Sequence, residues 1–114
     1  MDFLPVEPMD LVNYLYWLIR QPAGSVEWKS TRIDLVELVL DVAMTERLRD
    51  GRGYPMTQRR LAEMAFRAVG LPFAPKHLPA IVFRIRNRVH VKPPLEKRIQ
   101  GNIDDVIIDD NNCN

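Results

Sequence analysis

Apolar positions repeat at helical spacing in four separate runs of the chain, which predicts four α-helices. The first runs from Pro8, tolerated in a first turn, to about Gln21. It is apolar over most of its circumference: Leu11, Leu15 and Leu18 form one stripe, and Tyr14, Tyr16 and Trp17 widen it. Such a helix needs cover on more than one side. Its outer face is either a homodimer contact or is covered by a small core, with the tyrosine hydroxyls reaching water. Pro22 and Gly24 end it. The second helix, capped by Ser30 or Thr31, runs to about Leu48. Ile33, Leu35, Val36, Leu38, Val39, Leu40, Val42, Ala43, Met44 and Leu48 cover more than half its wheel, and Asp34, Glu37, Asp41 and Thr45 make one narrow polar strip. This pattern places the second helix at the centre of the fold, with Trp28 ahead of it as a core anchor.

Asp50-Gly51 and Gly53 predict a turn. Thr57 then caps a third helix to about Val69, which Gly70 ends. Its core face is Leu61, Met64, Ala65, Ala68 and Val69. After a turn with Pro72 and Pro75, a fourth helix begins near Lys76, with Pro79 in its first turn. Leu78, Ile81, Val82, Ile85 and Val89 form its expected buried stripe, and Phe83 points outward. Residues 1–7 are expected to be extended. Beyond Pro93-Pro94, Leu95–Ile99 suits a short helix. The acidic segment 102–114 is expected to be a disordered tail, or to add a strand at Val106, Ile107 and Ile108. The resulting expectation is all-α: a small domain of about four helices over residues 1–101, with a helix-turn-helix or winged-helix-like unit at 57–90.

Charge sharpens this picture. The 114 residues carry a net charge of only +1. Residues 1–51 hold five basic and nine acidic side chains, residues 52–101 eleven and two, and residues 102–114 none and four. The middle block is therefore at +9 between two blocks at −4, which suggests a polyanionic partner. Within it, Arg59 and Arg60 sit in the first turn of the third helix. Cations are disfavoured there unless an anion such as phosphate is held at that end. The fourth helix offers Lys76, Arg84, Arg86, Asn87 and Arg88. Arginine reads guanine edges, asparagine reads adenine, and arginines on the flanks contact phosphate. These seven residues are the candidate sites for double-stranded DNA.

Other chemistries find little to work with. There is no Gly-rich phosphate loop, no HExxH, and no Ser or Cys nucleophile with a partner, so no enzyme is expected. His77 and His90 are too far apart to make a metal pair, and the one cysteine, Cys113, makes no disulfide framework. No metal or cofactor is expected. No apolar run spans a bilayer, and MDFLPVEPMD lacks the features of a signal peptide, so the default is a cytoplasmic protein with no membrane partner. The alternative to DNA binding is a non-enzymatic helical protein-interaction module that uses the apolar first helix and the basic surface.

From Trp28 onward the chain resembles the C-terminal region of RteC-type regulators, associated with tetracycline-inducible mobile elements of Bacteroides-like bacteria. The runs that carry the resemblance are WKSTRIDLVELVLDVAMTERLRDGRG, LAEMAFRAVGLPF and FRIRNR, with Trp28, Ile33, Asp34, Leu35, Glu37 and Leu38 the most specific. The resemblance implies a helical regulator with a DNA-binding end that acts on transcription of excision genes. Two features depart from the pattern. The turn Gly70–Lys76 is longer than the three or four residues usual in a helix-turn-helix, and Pro93-Pro94 follows the arginine-rich helix.

Overall fold

The computed structural model describes residues 10–89 and 92–112. Among them are six α-helices and no strand. These are α1 (Leu11–Ile19), α2 (Arg32–Thr45), α3 (Gln58–Val69), α4 (Leu78–Arg86), α5 (Leu95–Arg98) and α6 (Gln100–Asn112). A single 3-10 turn, Pro75–His77, leads into α4. The expectations for residues 1–7, Pro8, His90, Val91 and Cys113 lie outside the described residues.

Local chemistry accounts for most helix ends. The Asp10 carboxylate caps α1 by accepting the Asn13 N–H at 2.7 Å. Thr31 and Asp34 form a reciprocal capping box at α2, and the Thr57 hydroxyl accepts the Arg60 N–H at 3.1 Å to start α3. At the far end of α2 the chain stops at Thr45, three residues before the predicted Leu48. The Thr45 hydroxyl donates to the Val42 carbonyl and accepts the Arg47 N–H, and Glu46 turns left-handed at φ 55°. Met44, expected in the core, is therefore left exposed in the last turn. The carbonyls at the end of α3 are met by the connection after α1: Gly24 N–H donates to Arg67 O at 2.8 Å and Val26 N–H to Ala68 O at 3.1 Å. Gly70 closes this junction at φ 71°, where a Cβ would lie 3.3 Å from the Gly24 Cα.

The core forms around α2, which packs against α1, α3, α4 and α5. Leu35, Val36, Leu38, Val39, Leu40 and Val42 are buried on it, as its wheel requires. Tyr14, Leu15 and Leu18 of α1 and Leu61, Ala62, Ala65, Phe66 and Ala68 of α3 complete one side. Of α1 only Asn13 and Tyr16 remain well exposed, and the guanidinium of its C-cap Arg20 stacks 4.0 Å from the Tyr16 ring centroid. Trp28 is partly buried against the core, with its indole N–H on the Thr31 carbonyl at 2.8 Å.

Two expectations are corrected here. The fourth helix stops at Arg86, because the Asn87 side-chain amide and backbone N–H both return to the Phe83 carbonyl. Val89, predicted on the buried stripe, then falls beyond the helix and is 87% exposed. The strand considered at Val106, Ile107 and Ile108 does not form: the acidic segment is helical to Asn112 as α6. Ile99, Ile103 and Val106 recur at i, i+4 and i+7 and are buried. Asn102, also buried, accepts the Lys29 N–H at 2.8 Å and donates to the Ser30 hydroxyl at 2.9 Å, which fastens α6 to the entry of α2.

Leu38 is fully buried on the central helix. Leu38→Asp buries a charge with no partner and should abolish the cooperative thermal transition followed by circular dichroism. A variant melting at the wild-type temperature would displace α2 from the centre.

Candidate nucleic-acid interface

The polar strip of α2 is the starting point, because it decides which arginines are free. Asp34 and Glu37 lie three residues apart and so share a face. Two guanidiniums cover that face. Arg98 of α5 bonds both Asp34 and Glu37, the latter at 2.7 Å, and Arg88, just past α4, bonds the other Glu37 oxygen at 2.8 Å. All four side chains are 12–20% exposed. The Arg98 Nε also donates to the Pro93 carbonyl at 2.9 Å, so the proline pair is held in place by the same guanidinium. Burial alone would push the Glu37 carboxyl up, but the hydrogen bonds and charges of Arg98 and Arg88 outweigh it and hold the carboxyl below its ordinary value of 4.5. Asp41, one turn on, has no ion-pair partner among the described residues. Desolvation by the surrounding protein and then the charges of Glu37 and Glu96 push it above its ordinary value of 3.8, although the residue is exposed at the surface.

The seven candidate residues do not form one face. Arg84, Arg86 and Asn87 are exposed together on the last turn of α4 and its cap, and among the described residues neither arginine makes an ion pair. Lys76 is exposed at the other end, in the 3-10 turn. Arg59 and Arg60 are exposed in the first turn of α3. Glu63 approaches them at 3.7 and 3.8 Å, an i, i+4 and i, i+3 arrangement that offsets the unfavourable end of the helix dipole without any bound anion. Arg88 is the correction: it is committed to Glu37, because the chain turns inward once α4 has ended.

Phe83, 67% exposed, stands on the ridge of α4 between two open grooves. One, of about 530 Å³, is lined by Ile33, Phe83, Arg84, Ile85, Asn87, Arg88, Val89 and Lys92. The other, of about 450 Å³, is lined by Gln58, Leu78, Pro79, Val82, Phe83, Arg86 and Asn87. Gln58 and Lys92 thus join the surface without having been singled out in the sequence. No local signal marks either one, since the chain returns to α4 from separate elements. In the acidic segment, Asp105 pairs with Lys29 at 2.8 Å. Among the described residues no group of three or more His, Cys, Asp or Glu side chains is placed to hold a metal ion. Among the described residues no helix is long and apolar enough to cross a membrane either.

Two stability predictions follow from the strip. A carboxylate held below its ordinary value contributes stability that is complete above that value and is lost on acidification. Glu37→Gln should therefore lower stability at pH 7 by about 3 kcal/mol, as for one partner removed from a largely buried pair, and should flatten the loss of stability below about pH 4.5. Asp41→Asn should act the other way. It removes the cost of ionising a raised carboxyl, so the melting temperature rises at pH 7 and is unchanged well below pH 3.8. Arg88→Ala should destabilise the protein while Arg84→Ala leaves its melting temperature nearly unchanged, because, of these two, only Arg88 makes an ion pair among the described residues. Equal effects in thermal melts would refute this division of the arginines. In comparisons with known proteins, no protein-family model matches the chain, and no curated protein and no solved structure does either.

Proposed function

We propose that the protein binds DNA through the exposed C-terminal turn of α4. The observation that carries this reading is the cluster of Arg84, Arg86 and Asn87 around an outward Phe83, without an ion-paired carboxylate among the described residues. Two uncompensated guanidiniums beside a carboxamide offer charge for phosphate and donors and acceptors for bases. In this reading α2 is the scaffold helix, and α3 and α4 are the two helices of a helix-turn-helix-like unit joined by the long proline-containing turn. Both rest on α2 more than on each other. That favours a unit whose helix positions are set by the scaffold. A regulatory role in a mobile element rests on the sequence resemblance alone.

The second reading is a protein-interaction module. It is favoured by the groove of about 300 Å³ between α1 and the 47–56 turn, where Tyr16, Ile19, Arg47 and Met56 meet. A second copy docking on α1 would use this rim, since the rest of the helix is covered.

Salt separates the two readings. Neutralising phosphates releases counterions, so binding to random-sequence duplex should be measurable by fluorescence anisotropy at about 50 mM salt and weaken at least tenfold by about 200 mM. Arg84→Ala combined with Arg86→Ala should weaken it further and leave the melting temperature unchanged, since both side chains are exposed. An absence of binding at low salt would favour the interaction module. Loss of folding in the double variant would place α4 in the wrong phase.

A further inference from the structure

The groove on the Lys92 side of Phe83 has an unusual combination of properties for a duplex-reading surface. Its walls are apolar, from Ile33, Ile85, Val89 and the Phe83 ring, and Arg84 and Lys92 stand beside them. None of its lining residues is acidic. One Asn87 amide N–H donates to the Phe83 carbonyl at 2.8 Å, which leaves the other N–H as a donor and the side-chain oxygen as an acceptor. An open apolar groove with an aromatic wall, cations at its edge and a carboxamide suits the face of a nucleobase with its neighbouring phosphates.

The layout of α4 argues against intact duplex as the best occupant. Helices that read the major groove usually do so with residues near their N-terminus. Within α4 itself that turn exposes Pro79 and Ala80, which have no side-chain hydrogen-bonding group; Lys76 and His77 stand just ahead of it in the 3-10 turn, and the helix's own donors lie in its last turn or beyond. An exposed aromatic ring binds nucleic acid through the face of a base, and those faces are hidden in a stacked duplex.

We propose that the groove beside Phe83 takes an unstacked nucleobase, so that this face binds single-stranded DNA in preference to intact duplex. The proposal rests on the nucleic-acid reading above and names the form of its ligand. Phe83 supplies the stacking surface, Arg84 and Lys92 hold the flanking phosphates, and the Asn87 oxygen accepts from an exocyclic amine or ring N–H. Arg88 sits at the back of the groove, held by Glu37, and fixes the chain as it leaves α4.

The test is an anisotropy titration of the full chain with a labelled mixed-sequence oligonucleotide, single-stranded or annealed, at about 50 mM salt. The single strand should bind about tenfold more tightly than the duplex. Phe83→Ala should weaken single-strand binding about tenfold and duplex binding less than twofold, in the range for loss of one stacked base. Phe83→Trp should retain binding, and its added indole fluorescence should be quenched by the single strand. The ring is largely exposed, so both variants should melt with the wild type. Duplex bound as well as single strand, or equal losses for both in Phe83→Ala, would overturn the stacking proposal and leave the DNA reading intact. Competition by poly-glutamate as effective as that by single-stranded DNA would overturn it in favour of an acidic peptide. Failure of the wild-type chain to bind either oligonucleotide would overturn both readings.

Discussion

A central helix that is apolar around most of its circumference must be enclosed on nearly every side, and its one polar strip must then find partners inside the enclosure. That constraint organises this protein. α1 and α3 cover one side of α2 through leucines, valines and alanines, and α4 and α5 cover the rest. Where the strip would otherwise be sealed off from water, Asp34 and Glu37 receive Arg88 and Arg98. Leaving those carboxylates unpaired beneath α5 would cost several kcal/mol, whereas pairing them makes the strip a docking line. The two arginines come from segments 51 and 61 residues away from Glu37, so one side chain ties the end of α4 and the whole of α5 to the scaffold.

The same arrangement reinterprets the basic block. As a count, residues 52–101 stand at +9. In space that excess is divided. Arg88 and Arg98 neutralise Asp34 and Glu37 of α2, and Arg59 and Arg60 lie near Glu63. What remains concentrated is the last turn of α4 with Arg84, Arg86 and Asn87, joined by Lys92 across the groove. The structural arginines and the candidate binding residues alternate closely along the chain, and it is burial that separates them. The cap that ends α4 is central to this. By returning to the Phe83 carbonyl, Asn87 stops the helix, frees the next residue to turn inward to Glu37, and leaves Phe83 on an open ridge.

Much of this was legible in the sequence wherever the cause is local. Thr31 and Thr57 as caps, Gly70 as a stop, and the dense apolar wheel of α2 each follow from residues within one or two turns. The misreadings are of two kinds. Val89 was assigned to a buried stripe by extending the period of α4 past its true end, and a side-chain amide bonding back to the helix is not visible as periodicity. The α6 segment was discounted because its composition is acidic and terminal. The spacing of Ile99, Ile103 and Val106 was already helical, and Asn102 gains meaning only from its partners at Lys29 and Ser30, some seventy residues away. Arg88 illustrates the general limit. Nothing near it in the chain distinguishes it from Arg84 and Arg86, and its role is set by a carboxylate on another helix.

The central claim is that the last turn of α4 is the surface that meets nucleic acid. Amide chemical-shift mapping by NMR during titration with DNA tests it most directly. The account predicts perturbations concentrated at Phe83, Arg84, Arg86, Asn87 and Lys92, extending to Gln58, with α1 and α6 unmoved. Perturbations centred on α1 and the 47–56 turn, or none at all at low salt, would contradict it.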